Sequence, residues 1–174
     1  MHRVVRHWIG LCACWVIACA SNTALSPQVA PPIRSAPVQF TYHLSSGERI
    51  SEQQFRGRTT VVAMVTTYDL ASQILLRRLE EVLRTFQPRI NAVAVVLEPP
   101  GYGILLDTFR ESLNLSFPVA LADAATMNGR SPFGLFDHVP HLVFLDRQGR
   151  QVLRLDGPVS VGELEEALRQ VAGA

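Results

Sequence analysis

Two stretches of the chain are apolar or β-branched on nearly every residue: Thr59 to Thr67 (T-T-V-V-A-M-V-T-T) and Ile90 to Leu97. Unbroken runs of this length belong to strands covered on both faces, not to strands with one wet face. Between them the period changes. Ile74, Leu75, Leu79, Val82, Leu83 and Phe86 recur at helical spacing, with Arg77, Arg78, Glu80, Glu81 and Arg84 on the other side. This pattern predicts a helix from Leu70 to Phe86, opened by Asp69 as N-cap and stopped by Pro88. Strand, helix and strand make a βαβ unit, hence a parallel pair with a right-handed crossover.

The remaining elements group around that unit. Val38 to Leu44 reads as a strand, Ser45-Ser46-Gly47 as a turn and Glu48-Arg49-Ile50 as the return strand. Ser51 caps a short helical turn to Phe55. Glu98-Pro99-Pro100-Gly101 reads as loop, with Glu98 placed to line a groove or, the better expectation, in solvent, and Ile104 to Leu113 as a second amphipathic helix. Phe117 to Leu121 is a short strand, Asp123 to Met127 a helical turn and Asn128 to Gly134 a loop. Leu142 to Leu145, the turn Asp146-Arg147-Gln148-Gly149 and the alternating Val152, Leu153, Leu155 form a closing hairpin. Ser160 opens a last helix, Val161 to Val171, with Glu163 completing a capping box. The result is an α/β fold: a central mixed β-sheet with helices on both faces and an N-terminal β-hairpin.

Residues 1–37 follow none of these periods. Arg3 and Arg6 precede an apolar run from Trp8 to Ala18, too short for a membrane-spanning helix and of the length of an export signal. Val16-Ile17-Ala18-Cys19 resembles the lipobox of bacterial lipoproteins. That resemblance implies lipidation of Cys19 and an anchor in the cell envelope, with the outer membrane favoured because Ala20 follows. Cleavage after Ala20, in an A-x-A pattern, would instead release a soluble exported protein. Residues 20–37, rich in Ser, Ala and Pro, read as a linker between this signal (1–19) and the folded domain (38–174).

Composition narrows the chemistry. The net charge is +1, so no basic balance points to nucleic acid. All sixteen basic side chains are arginine, which excludes Schiff-base chemistry on a lysine. The cysteines are Cys12, Cys14 and Cys19; nothing beyond Cys19 can supply a thiol. The Gly-containing loop from Asn128 to Gly134 lacks a P-loop lysine and the strand–helix setting of that motif, and no cofactor is expected.

The domain resembles the thioredoxin-like superfamily in its exported TlpA/ResA-type branch. Phe40 through Gly57 is similar to that family's entry segment, and Phe117-Pro118-Val119 to its F-P-V strand. Val139-Pro140 with Phe144-Leu145-Asp146-Arg147-Gln148-Gly149-Arg150 resembles its V-P-x-x-F-x-I-D-x-x-G-x run. The resemblance implies a cis bond at Val139–Pro140 and a groove beside it for an extended peptide. It also places a W-C-x-x-C motif at the start of the long helix. Here that segment reads Thr66-Thr67-Tyr68-Asp69-Leu70-Ala71-Ser72-Gln73, so Leu70 and Gln73, give or take one residue, stand where the thiols would be. Asp137-His138, eleven residues before Gly149, is also similar to the D-H-(x)10-G pattern of Sco-type copper chaperones, whose two cysteine ligands have no counterpart here.

The expected site is therefore a binding groove formed by Tyr68, Asp69, Val139 and Pro140. Its partner would be an envelope protein or peptide, and the missing thiols weigh against catalysis. Two alternatives remain: a thiol-disulfide oxidoreductase of the envelope, as the resemblance implies, and a metal carrier through His138 with His141 or Asp69. In an extended chain His138 and His141 would point to different sides of Pro140, which weighs against a shared metal.

Overall fold

A computed structural model of the protein describes residues 36–173. The signal at 1–19, Cys19 and the linker up to residue 35 lie outside the described residues.

Seven strands form one sheet in the order β2-β1-β5-β4-β3-β6-β7. They are β1 (Thr41–His43), β2 (Arg49–Ser51), β3 (Thr60–Val65), β4 (Asn91–Val96), β5 (Val119–Leu121), β6 (His141–Leu145) and β7 (Gln151–Asp156). The helices are α1 (Leu70–Thr85), α2 (Leu106–Ser112), α3 (Ala124–Met127) and α4 (Val161–Ala172). The centre is parallel, β3 to β4 and β4 to β5, while β6 and β7 add antiparallel strands on one side and β1 and β2 on the other.

β3 is buried at all six positions. Alternate residues serve opposite cores, as the two-residue strand period requires. Val61, Ala63 and Val65 pack with Leu75, Leu76 and Leu79 of α1, Leu106 and Phe109 of α2, and Leu164 and Leu168 of α4. Val62 and Met64 face a second core made by Val38, Phe40, Tyr42, Ile50, Ala120 and Phe133. Helices thus lie on both faces, unequally. The three longer ones share one face because β3→α1→β4 and β4→α2→β5 step in the same direction with right-handed crossovers. On the other, the one-turn α3 is tied in by contact of Thr126 Oγ1 with the Tyr42 hydroxyl (3.2 Å).

Local signals set most boundaries. Ser51 with Gln54, and Ser160 with Glu163, form capping boxes. The segment expected as loop after Glu98 instead turns as a 3₁₀ helix, Pro100–Leu105, which runs directly into α2. Pro100 opens it without loss, because the first turn of a helix needs no N–H from that residue.

Candidate functional site

β3 and β6 pair antiparallel with Met64 opposite His141. That register brings the exit of β3, Thr66 to Asp69, to the same end of the sheet as the entry of β6, Val139 and Pro140. The Val139–Pro140 bond is cis. Pro140 is buried and Val139 half-buried, while Tyr68 is 78% exposed. The expected groove residues thus sit at the ends of neighbouring strands.

The N-terminus of α1 is built from polar contacts. The Asp69 carboxylate accepts from the Ala71 N–H (3.2 Å), the Ser72 N–H (2.8 Å) and the Ser72 hydroxyl (2.7 Å). These donors, led by the Ser72 hydroxyl, hold the Asp69 carboxyl below its ordinary range. Ser72 is fully buried, and the Thr66 N–H points at its oxygen (3.4 Å). Leu70, by contrast, is 68% exposed, and Gln73 donates from Nε2 to the Thr67 carbonyl (2.8 Å). The side chains three residues apart that meet at the helix start are those of Asp69 and Ser72, one residue ahead of Leu70 and Gln73. A charge-assisted hydrogen bond joins them.

Glu98, expected in solvent, is 2% exposed. Its Oε1 accepts from the Thr67 N–H (2.6 Å) and the Thr67 hydroxyl (2.7 Å). A buried carboxylate is tolerated when such donors meet it. Glu98 therefore ties the exit of β4 to that of β3 through Oε1, while its Oε2 is buried without a hydrogen-bond partner among the described residues. Its pattern in the sequence, a lone acid before two prolines, is that of a loop. Only the parallel pairing of β3 with β4 places Thr67 over it.

The two histidines lie closer than an extended chain allows. Residues 137–139 bend, and the rings of His138 and His141 stand 6.2 Å apart, edge to face. Asp69 is not their partner; it is engaged as the helix cap. The nearby carboxylate is Asp156, which β7 sets directly opposite His141. One ligand atom each from His138, His141 and Asp156 falls within 4.8 Å of the others.

The donor chemistry opposes a metal there. Arg154 donates from Nε to His141 Nε2 (2.7 Å). A guanidinium Nε–H cannot accept, so the lone pair of the imidazole is at Nε2 and its proton at Nδ1, facing Asp156. A metal at Nδ1 would have to evict that proton and leave Nε2–H against the guanidinium. Ligating histidines show the reverse pattern, with the second nitrogen donating to an acceptor. Burial first, then Arg154, lowers the pKa of His141 to about 4, so the ring is neutral. His138 Nδ1 contacts Asp137 (2.6 Å) on the exposed rim, and that contact holds the Asp137 carboxyl below its usual range. His141 thus sits buried between Arg154 and Asp156 at the entry of β6, while His138 stays on the exposed rim. Arg154 also donates to the Leu135 carbonyl (2.7 Å), fastening the loop that carries Pro140.

No family model matches the chain, and no curated protein matches it in sequence. Solved structures do resemble it. A thiol:disulfide interchange protein from Chlorobium tepidum superposes with a TM-score of 0.67 at 15% identity, over 83% of this chain and 99% of its own. A putative protein disulfide isomerase from Bacteroides thetaiotaomicron gives 0.62 at 16% identity, over 86% and 96%. The exposed lipoprotein thioredoxin of Streptococcus pneumoniae gives 0.58 at 15% identity, over 76% and 98%. At these identities the likeness establishes the architecture: the domain has a thioredoxin-like fold.

Proposed function

We propose that the protein is an exported, lipid-anchored thioredoxin-like domain that binds an extended polypeptide segment at the strand ends beside Pro140 and performs no thiol chemistry. The observation that carries this reading is the Asp69–Ser72 hydrogen bond at the helix start. It fills the reactive position with a capped, satisfied pair that offers neither nucleophile nor disulfide. Around it Tyr68, Leu70 and Leu135 stand exposed, the last two at 68% and 75%, a rim suited to the apolar side chains of a partner.

Two assays test it. In insulin reduction the purified chain gives no turnover above buffer. Against a panel of extended apolar peptides it binds, and Tyr68→Ser/Leu70→Ser weakens that binding about tenfold, roughly 1.4 kcal/mol, without moving the melting temperature. Turnover with insulin, or equal peptide binding by the variant, ends the proposal.

An oxidoreductase of the envelope is the reading that the fold neighbours bring with them. It requires thiols that the domain does not contain. The metal-carrier reading rests on the approach of His138, His141 and Asp156 and is opposed by the Arg154 contact. Titrating copper or zinc into the protein and into His138→Ala separates them: tight binding that the variant abolishes would revive it.

A further inference from the structure

The chain enters the domain at the pole opposite Pro140. Pro37 bridges to Arg150, and the Val38 N–H donates to the Gly149 carbonyl (2.8 Å). This is the turn between β6 and β7, at the end of the sheet where β3 and β4 begin. The Gly57 N–H reaches the same turn at the Arg147 carbonyl (2.9 Å). A cavity of about 240 Å³ opens there, lined by Arg58, Arg89 and Arg147 with Thr59, Pro88 and Ile90.

The charges at this pole do not balance. Arg56 has Glu52 (4.0 Å), Arg84 has Glu80 (2.9 Å) and Arg150 has Asp146 (2.6 Å). Glu80 is further saturated by the Ser116 N–H and hydroxyl, so it has little left to offer a second cation. Arg58, Arg89 and Arg147 are exposed, and none has an ion pair or side-chain hydrogen bond among the described residues. Three guanidiniums around one opening repel one another, and an anion between them is favoured. Their planar forks match the oxygens of a phosphate group.

We propose that this pole is a phosphate-binding face that seats the headgroups of an anionic phospholipid surface. The occupant follows from where the chain enters. On the reading of residues 1–37 as anchor and tether, which this inference shares with the proposed function, the tether meets the domain beside Arg147 and Arg150. Residues 20–37 reach at most about 60 Å when extended, so the domain is held near the surface that anchors it. Electrostatic attraction acts within about 8 Å at physiological salt, so the arginines settle the orientation once the pole comes close. The cis-proline end then faces away from the membrane, open to a partner.

The test uses the chain from residue 20 to 174, so that neither the apolar run of the expected signal nor an acyl chain contributes. Flotation with vesicles of phosphatidylglycerol and phosphatidylcholine is compared with phosphatidylcholine alone, at low and high salt. The parent binds the anionic vesicles and high salt releases it. Arg58→Gln/Arg147→Gln lowers that partitioning roughly twenty-five-fold, each basic residue at an anionic surface being worth about a factor of five. Arg77→Gln/Arg130→Gln, which removes the same charge elsewhere, leaves it unchanged. Equal loss in both variants, or equal binding of the parent to neutral vesicles, overturns the proposal. Titration with inorganic pyrophosphate distinguishes the source of the phosphate. Variant-sensitive pyrophosphate binding without vesicle preference would assign the face to a free anion and overturn the lipid assignment. None of these outcomes touches the insulin and peptide assays, which read the other pole.

Discussion

His141 is held between charges of opposite sign, with Arg154 at one ring nitrogen and Asp156 at the other. It is 1% exposed, and Phe136 and His138 pack against its ring. Its folded pKa, about 4, lies below its ordinary value of 6.5. Between those values the unfolded chain takes up a proton that the folded chain refuses. Stability therefore rises with pH through this window and is progressively lost as acid is added, by an amount on the order of 3 kcal/mol. The carboxylates Asp69, Glu80, Asp137 and Glu163 are held below their ordinary range, so their contributions fade only at lower pH. Urea unfolding followed from about pH 7 down to about pH 5 should show a falling midpoint, and His141→Gln should flatten that fall. An unchanged slope in the variant would place the titration elsewhere. The sequence shows two histidines around a proline. It does not show which carboxylate and which arginine meet them, because Asp156 and Arg154 arrive through the pairing of β6 with β7.

At the scale of elements, the start of α1 was legible. Asp69 ahead of a helical period reads as a cap from the sequence, and the structure gives it three donors. Asp69→Ala should lower stability by about 1–2 kcal/mol in thermal unfolding. Which pair would stand where the resemblance puts its thiols depends on the angle at which the helix leaves β3, and only coordinates give that angle. Asp69 and Ser72 already touch, three residues apart at a helix N-terminus, where a thiolate is stabilised by free N–H groups. Asp69→Cys/Ser72→Cys should therefore form a disulfide and reduce insulin measurably, whereas Leu70→Cys/Gln73→Cys should not. The reverse ranking would return the register to Leu70 and Gln73. The burial of Glu98 is hidden from its own segment for a similar reason: it is a property of two parallel strand ends, not of the loop that Glu98 begins.

The whole molecule divides into a sheet with two cores and two dissimilar poles. The larger core lies under α1, α2 and α4; Leu75, Leu79 and Val82 were recognisable from their period, whereas Leu76 was not, and Ile74 and Glu80 trade places with the period's expectation, the first exposed and the second buried. The smaller one joins strand residues at two-residue spacing, such as Phe40, Tyr42, Val62 and Met64, to a residue no period marks, Phe133 in the loop from Asn128 to Pro140. Phe133 is almost fully buried, and its ring lies 5.4 Å from that of Phe40. The same loop carries Leu135 and His138 and ends at Pro140, so Phe133 anchors to the core the loop that would border the proposed peptide site. Leu164, equally buried, belongs to α4 and the other core. Truncating either leaves a cavity and should cost about 2–5 kcal/mol. Their effects on binding should differ. Phe133→Ala should weaken peptide binding as well as stability, because the loop loses its hold. Leu164→Ala should lower the melting temperature by a comparable amount and leave the affinity of the still-folded protein intact. Measured well below both melting temperatures, peptide affinities that fall together would mean that the groove depends on the fold at large. A loss confined to Phe133→Ala would mean that the smaller core holds the binding loop in place.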